Sequence, residues 1–287
     1  MSMVACPLCG HAAPEPRDAH AAYCPACDLL INLEAAPLDY AGGGGQAVPD
    51  AAKMHWRRKN AQRRFALMEP WLGGIEVFVD IGCGSGEMLD VASSRFEHCL
   101  GFDTNRPLIE HIREAGRALA IEGHFAAAAI PPAIKARPTL YALSHVIEHL
   151  AEPLALVRQL AEAMHPGDLL YIEVPMHTGA SFRKLGYRWS LWNHEHLMLF
   201  SPKSLAYVAS HSGLALTAQG TRIFARGSHS MSTWLRLLRE SPQTFLRTLL
   251  TKPRYLSMAD VMIADYGFIV LRMPGDARDR QAQTSTK

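Results

Sequence analysis

Residues 78–87 read Phe-Val-Asp-Ile-Gly-Cys-Gly-Ser-Gly-Glu, an apolar strand followed by a glycine-rich turn and the start of a helix. Glycine has no Cβ, so Gly82, Gly84 and Gly86 allow a tight turn and leave backbone N–H groups facing outward. The helix behind the turn adds a partial positive charge at its amino end. The segment therefore predicts a strand, turn and helix whose backbone approaches a bound nucleoside.

A second strand that ends in an acid follows this turn. Residues 100–103 read Leu-Gly-Phe-Asp, and Asp103 lies 21 residues after Gly82. A carboxylate at that strand end can accept hydrogen bonds from ribose hydroxyls. Three spaced glycines alone are weak evidence, but the order strand, glycines, helix, strand and acid is typical of a nucleoside site.

The glycine spacing indicates which nucleoside is meant. A dinucleotide site has the pattern G-x-G-x-x-G, whereas residues 82–86 read G-x-G-x-G with Asp80 before them. This pattern resembles motif I of the class I S-adenosylmethionine-dependent methyltransferases. The resemblance implies that the glycine loop passes the methionyl part of the cofactor and that Asp103 holds its ribose. The residues expected to contact S-adenosylmethionine are Asp80, Gly82, Cys83, Gly84, Gly86, Asp103, Ser144 and His145.

Strand and helix signals alternate along the chain. Strands are predicted at residues 76–80, 98–103, 118–122, 140–144 and 168–174, and helices at 108–115 and 154–164. This alternation predicts an α/β fold with a Rossmann-like, doubly wound, mostly parallel sheet. Residues 214–223 and 266–273 supply late strands, which in the resembled family close the sheet as an antiparallel hairpin.

Length and composition set further bounds. The chain has 287 residues, a net charge of +2 and 48% hydrophobic residues, which suits one α/β domain with a small appendage. The near-neutral charge argues against a nucleic-acid partner. No apolar stretch approaches the roughly 20 residues that span a bilayer, and no signal peptide is visible. We therefore expect a cytoplasmic protein without a membrane partner.

Four of the six cysteines form two C-x2-C pairs, Cys6 with Cys9 and Cys24 with Cys27, separated by 14 residues. Four thiolates in this arrangement can converge on one tetrahedral Zn²⁺. Disulfides are the alternative, but a cytoplasmic setting keeps thiols reduced. The spacing predicts a structural zinc site.

The domain organisation follows from these signals. Residues 1–40 are expected to form the zinc ribbon, 41–70 a linker and a basic helix, 71–275 the methyltransferase domain and 276–287 a disordered tail. The linker begins with four glycines at residues 42–45. The basic helix is expected to pack over the cofactor end of the sheet. A basic surface for a phosphorylated substrate, a nucleotide-linked sugar or RNA, is the alternative.

Histidines and acids cluster after the fourth core strand. If a helical turn begins there, His145, Glu148 and His149 occupy one face. The run resembles the E-x-x-E-H metal pattern of some small-RNA and quinone O-methyltransferases, with His196 as a distant fourth ligand. His145 stands where a carboxylate is usual, and magnesium prefers oxygen ligands. A second divalent metal at these four residues is one hypothesis.

A second cluster, around Glu195 and His196, supports a different hypothesis. Residues 194–201 resemble a segment of the nucleotide-sugar C-methyltransferases, which also carry an amino-terminal zinc domain. The resemblance implies that His196 is a base, with Glu195 beside it, although Asn193 replaces a tyrosine and the carboxyl-terminal domain of that family is absent. Histidine titrates near neutral pH without large tuning. The third interpretation is that both clusters only shape a pocket wall.

Residues 182–192 are rich in aromatic side chains and are expected to form a substrate lid. Its basic residues, Arg183, Lys184 and Arg188, could grip a phosphate or carboxylate, although a surface loop explains them as well. The acceptor could therefore be anionic.

These features together predict an S-adenosylmethionine-dependent methyltransferase that acts on a small molecule, such as a sugar or another biosynthetic intermediate. The expected catalytic residues are His145, Glu148, Glu195 and His196. One alternative is an RNA methyltransferase with a zinc-binding amino terminus, which should carry a basic surface at the active-site mouth. The other is a non-catalytic binding or scaffold protein, against which the intact glycine loop argues.

Overall fold

The computed structural model describes residues 5–12, 14–37, 47–116, 118–226, 238–239, 242–243, 246 and 262–275. The chain divides into two compact units, which we treat separately. The ribbon unit comprises Met1–Ala36, Val174–Leu205 and Gly220–Phe268, and the sheet unit comprises Pro37–Glu173, Ala206–Gln219 and Ile269–Lys287. The four glycines of the expected linker and the expected tail at residues 276–287 lie outside the described residues.

The strands and helices of the described residues have the following bounds. The strands are β1 (Glu15–Pro16), β2 (Ala21–Cys24), β3 (Leu29–Asn32), β4 (Val77–Ile81), β5 (His98–Asp103), β6 (Leu119–Glu122), β7 (Thr139–Ser144), β8 (Leu169–Pro175), β9 (Met198–Leu199), β10 (Ala215–Arg226) and β11 (Met262–Arg272). The α-helices are α1 (Ala51–Met68), α2 (Glu87–Ala92), α3 (Arg106–Ala115), α4 (Pro132–Lys135), α5 (Pro153–Ala163), α6 (Ala180–Leu185) and α7 (Pro202–His211). Short 3-10 turns lie at Glu69–Trp71, Ala127–Ala129, Ile147–His149 and Gly186–Arg188.

Seven strands form the main sheet in the order β10-β11-β8-β7-β4-β5-β6. Strand β4 pairs in parallel with β5 on one side and β7 on the other, and β5–β6 and β7–β8 are also parallel. The predicted Rossmann-like, mostly parallel sheet is confirmed. The strand order changes direction at β4, and ligands of such sheets bind at the carboxyl ends of the strands beside that point.

The central strands are buried on both faces, as parallel sheets require. All five residues of β4 and all seven of β8 are buried. Phe78 of β4 contacts Phe65 of α1 at a centroid distance of 5.2 Å and stacks on Phe96 at 5.7 Å. This aromatic cluster fixes helix α1 against the sheet.

Helix α1 has a buried face that its sequence conceals. Asp50 caps its amino end by accepting a hydrogen bond from the Lys53 N–H. The buried residues of the helix are Asn60, Ala61, Arg64, Phe65 and Met68, which share one face at helical spacing. The apolar pattern looks only loosely periodic because two of these five side chains are polar.

A smaller antiparallel sheet in the ribbon unit has the order β1-β2-β3-β9. Strand β2 pairs with β3, and β3 pairs with β9 through Leu30↔Leu199 and Ile31↔Met198. The N-terminal strands therefore share their sheet with residues far along the chain. No helix in the described part of the chain combines the length and the apolar character that a membrane crossing requires.

Candidate active site

The glycine turn after β4 has three left-handed residues, with φ of 70° at Gly82, 54° at Gly84 and 77° at Gly86. A Cβ on Gly82 would lie 2.7 Å from Val146 Cγ2, and one on Gly86 would lie 2.8 Å from Ile112 Cγ1. A Cβ on Gly84 would meet nothing within 4 Å. Gly82 and Gly86 are thus needed for packing, whereas Gly84 presents its backbone to open space.

Asp103 ends β5 directly beside this turn. The parallel register places Ile81 opposite Phe102, so both strands end at the same edge of the sheet. The Asp103 carboxylate accepts hydrogen bonds from the N–H groups of Gly84 and Asn105, each at 2.8 Å. A carboxylate can accept about four hydrogen bonds, so it keeps acceptor capacity for ribose hydroxyls. The structure brings together the two features on which the nucleoside prediction depends.

Other predicted cofactor residues lie inside the sheet unit. Asp80 is 3% exposed, and burial, followed by the charge of Glu87, holds its pKa well above the usual range. Cys83 is also buried, and burial followed by the charge of Asp80 raises its thiol pKa well above normal. Their side chains shape the turn from within, and contact with a cofactor stays a prediction for both residues.

Basic residues of α1 bind the elements that surround the turn. Arg57 donates to the Ser85 hydroxyl at 2.6 Å, and Ser85 donates to Glu87 at 2.9 Å. The Arg58 Nε lies 2.6 Å from Asp90 Oδ2 on α2. These pairings agree with a helix that packs on the sheet unit.

A buried charged cluster lies at the carboxyl ends of β7 and β8. His145 adopts a left-handed backbone with φ of 60°. Its Nδ1 lies 3.1 Å from Glu148 Oε1, and its Nε2 lies 3.4 Å from Glu173 Oε1. Glu173 also pairs with Arg64 at 2.7 Å and accepts a hydrogen bond from Tyr171 at 2.7 Å. The carboxylates of Glu148 and Glu173 are both fully buried. We call the five residues together the charged cluster: Arg64, His145, Glu148, Tyr171 and Glu173.

The carboxylates of this cluster control the charge of His145. Burial by itself lowers the pKa of the imidazole, but the hydrogen bonds and charges of Glu148 and Glu173 outweigh it and raise the pKa. A protonated imidazole donates from both ring nitrogens and cannot accept a further proton. His145 and Glu148 were predicted as site residues from the sequence, whereas Glu173 and Arg64 were not. The available signal was an acid within the apolar strand Leu169–Pro175.

His196 lies in the ribbon unit and is 7% exposed. Its Nδ1 is 2.6 Å from the carbonyl oxygen of Leu191, so Nδ1 carries the proton and Nε2 is the basic nitrogen. The Asn193 side chain accepts hydrogen bonds from the N–H groups of Glu195 and His196. Asn32 of β3 donates to the carbonyls of Asn193 and His196 at 2.9 and 3.0 Å.

The predicted site residues thus divide between the units. Ser144, His145, Glu148 and His149 belong to the sheet unit, and Glu195 and His196 belong to the ribbon unit. Glu148 and His149 lie on a 3-10 turn at Ile147–His149. Convergence of the two groups on one substrate or one divalent metal stays a prediction.

The four cysteines of the ribbon unit come together. Cys6 and Cys27 have their sulfur atoms 3.7 Å apart, and the sulfur atoms of Cys9 and Cys24 are 3.5 Å apart. All four sulfur atoms lie within 4.8 Å of one another. Zinc with tetrahedral bonds of about 2.3 Å holds its sulfur ligands about 3.8 Å apart. The cluster therefore fits a zinc site with four thiolate ligands.

Comparison with known proteins identifies the family of this chain. A family model described as "Methyltransferase domain" matches residues 54–219. A ubiquinone biosynthesis O-methyltransferase of Xylella fastidiosa is 26% identical over 155 residues, which cover 50% of this chain and 63% of that protein's length. This chain therefore aligns with less than two thirds of that curated relative.

Searches of solved structures find matches at low sequence identity. A chain from the complex of the Haloferax volcanii Trm112 methyltransferase activator with a protein assigned as a methyltransferase is 15% identical, with a TM-score of 0.50. That likeness covers 80% of this chain and 100% of the other. An S-adenosylmethionine-dependent methyltransferase of Archaeoglobus fulgidus is 19% identical with a TM-score of 0.48, covering 75% of this chain and 94% of the other. The family model matches more than half of the chain, and the chain has the glycine turn, the strand that ends in an acid and the sheet topology described above. The chain therefore belongs to the class I S-adenosylmethionine-dependent methyltransferases.

Proposed function

We propose that this chain transfers the methyl group of S-adenosylmethionine to a small-molecule acceptor. The observation that carries the proposal is the hydrogen bond from the Gly84 N–H to the Asp103 carboxylate, at the sheet edge where the strand order changes direction. The space beside the Gly84 backbone is open there. S-adenosylmethionine supplies a methyl group that its sulfonium already activates. The protein then needs to bind the nucleoside, align the acceptor and remove a proton where the acceptor carries one.

The contacts that the basic residues of helix α1 make favour a small acceptor over RNA. Arg57, Arg58 and Arg64 of α1 bind Ser85, Asp90 and Glu173, so their charge is engaged within the sheet unit. The net charge of +2 adds no global attraction for a polyanion. The curated relative carries the name of a ubiquinone biosynthesis O-methyltransferase, which supports a biosynthetic intermediate as acceptor. A sugar is retained as one acceptor of this class.

We assign the role of base to His196, with Glu195 beside it. The hydrogen bond from Nδ1 to the Leu191 carbonyl supports this assignment because it leaves the proton-accepting lone pair on Nε2. His145 and Glu148 are assigned to orienting the acceptor. His145 is less favoured as a ligand of a second divalent metal, since its two ring nitrogens already face Glu148 and Glu173.

We further propose that the four clustered cysteines hold one structural Zn²⁺. The longest strands of the sheet around them have four residues, so a metal would contribute much of the stability of this region. A reducing cytoplasm, the location we propose, would keep the thiols available as ligands.

Titration calorimetry with S-adenosylmethionine tests the proposed function. Loss of the Asp103 carboxylate in Asp103→Ala should weaken binding about 10- to 100-fold, because hydrogen bonds to charged groups contribute about 1.5–3 kcal/mol. Glu122→Ala is the matched control, because Glu122 is the acid opposite Asp103 on β6 and has no predicted ligand. Undetectable binding by the unaltered chain would favour the scaffold alternative. Equal losses in both variants would remove Asp103 from the proposed site.

A further inference from the structure

The ribbon unit contains a cavity outside the glycine turn. Its volume is about 420 Å³, within the range of pockets that bind small organic molecules. It is lined by Arg17, Asp18, His177, Thr178, Phe182, Arg183, Gly186 and Tyr187. Two residues that follow β1 thus face a segment from residues 177–187, within one compact unit. None of the cavity residues belongs to the cluster of four cysteines.

The cavity carries two guanidinium groups, Arg17 and Arg183. No carboxylate among the described residues forms an ion pair with either group. The nearby Asp18 carboxylate is occupied, because it accepts hydrogen bonds from the Tyr187 hydroxyl and from the N–H groups of His20 and Ala21. The charge of the two guanidinium groups therefore exceeds that of the one carboxylate.

His177 adds a neutral polar group to the wall. Burial lowers the pKa of its imidazole, against the raising effect of Asp28, and the charge of Arg17 lowers it further. Its Nε2 lies 3.0 Å from the carbonyl oxygen of Asp28, so this nitrogen donates. Since His177 adds no positive charge at neutral pH, the net positive charge comes from the two arginines.

Part of the cavity wall is aromatic and packs against neighbouring residues. Phe182 is 4% exposed and lies 6.2 Å from Tyr187, whose ring contacts Trp192 at 4.8 Å. Asp265 of β11 accepts a hydrogen bond from the Ser181 N–H at the start of α6. An apolar wall beside two guanidinium groups suits a molecule with an apolar body and one oxyanion.

We propose that this cavity binds a small organic molecule through an oxyanion, a phosphate monoester or a carboxylate, held by Arg17 and Arg183. The apolar part of the ligand lies against Phe182 and Tyr187. Of the three basic residues in this segment, Arg183 lines the cavity, whereas Lys184 and Arg188 are not among the lining residues. Identification of this ligand with the methyl acceptor rests on the proposed function, whereas the binding site itself does not.

Calorimetry with phenyl phosphate, benzoate and the neutral benzyl alcohol tests the site in the full chain. Arg17→Ala and Arg183→Ala should each weaken binding of the preferred anion about 10-fold, and the double variant about 100-fold. Lys184→Ala and Arg188→Ala remove the same charge from neighbours outside the cavity lining and should change the affinity less than about twofold. Preference for phenyl phosphate identifies a phosphate ligand, and preference for benzoate identifies a carboxylate.

Three results would overturn the inference: binding of benzyl alcohol as tight as that of the anions, unchanged affinity in the double variant, or equal losses in the control variants. If the double variant unfolds, Arg183→Lys replaces it, because lysine keeps the charge but loses the planar fork and should bind less tightly than the wild type. S-adenosylmethionine affinity is measured in the same samples. If the wild type binds the anions but not S-adenosylmethionine, the proposed function alone is refuted. If the wild type binds S-adenosylmethionine but none of the anions, the cavity site alone is refuted.

Discussion

Substitution of Gly84 by alanine should separate cofactor binding from folding. At φ of 54° the new side chain adopts the left-handed region, which costs about 1–2 kcal/mol for a residue other than glycine. No further cost arises within the protein, because the added Cβ meets nothing within 4 Å. We expect Gly84→Ala to lower the free energy of unfolding by only about 1–2 kcal/mol.

The same methyl group should interfere strongly with the ligand. The space it enters is the space that we assign to S-adenosylmethionine, and overpacking by one methyl group costs about 1–3 kcal/mol. That cost corresponds to a loss of affinity of about 5- to 150-fold. Titration calorimetry measures the loss, and urea unfolding measures the stability of the same samples.

Two other glycines provide the matched controls. Gly116 ends α3 at φ of 66° with nothing within 4 Å of an added Cβ, so Gly116→Ala should carry the same strain with unchanged S-adenosylmethionine affinity. Gly86→Ala adds a contact of 2.8 Å with Ile112 Cγ1 and should destabilise the fold by about 2–5 kcal/mol. If Gly84→Ala binds S-adenosylmethionine as tightly as Gly116→Ala does, the ligand does not approach this turn and the reasoning fails.

Three further predictions concern the charged cluster and the cysteines. Arg64→Met should destabilise the chain by about 3–5 kcal/mol in urea unfolding, because Glu173 is left buried without its guanidinium partner. The further substitution Glu173→Gln should recover part of this loss. A loss of stability under about 1 kcal/mol in Arg64→Met would contradict the pairing. Two buried carboxylates raise the pKa of His145. The contribution of His145 to folding stability is therefore fully present below the ordinary imidazole pKa of about 6.5, and it is lost as pH rises through the raised value. The stability difference between wild type and His145→Gln should therefore shrink as pH rises above about 6.5, and a difference that grows would reverse the sign. Metal analysis should find about one zinc per chain. Chelation should lower the melting temperature of the wild type but not that of Cys24→Ser. Absence of zinc from the reduced protein would refute the four-cysteine site.

Local patterns predicted the parts of the fold that depend on local chemistry. The strand that ends at Asp103 has the predicted bounds, and the glycine turn lies where G-x-G-x-G places it. The four cysteines converge as their spacing predicts. In each case the pattern encodes a backbone conformation or a ligand geometry within a short segment, and such segments form in the same way in many folds.

Long-range pairings were not predictable in the same way. Arg64 and Glu173 are 109 residues apart in the chain. Arg64 lies in a basic helix and Glu173 in an apolar strand, so neither local sequence indicates the other as a partner. Strand β9 has only two residues and joins the ribbon sheet through β3, which no local periodicity indicates.

The segment at residues 182–192 illustrates the same limit. Its composition predicts a lid or a surface loop, but Phe182, Trp189 and Trp192 are buried and contact one another through Phe182. An aromatic-rich run favours a packed cluster when partners are present, and only the folded chain supplies Asp18 and Glu34 as partners for Tyr187 and Trp192.

A crystal structure with S-adenosylhomocysteine is the most direct test of the cofactor site. We predict that the ribose hydroxyls lie within hydrogen-bond distance of the Asp103 carboxylate and that the amino acid part passes the backbone of Gly84. A nucleoside bound elsewhere in the chain, or one whose ribose makes no contact with Asp103, would contradict the assignment of this turn as the methyl-donor site.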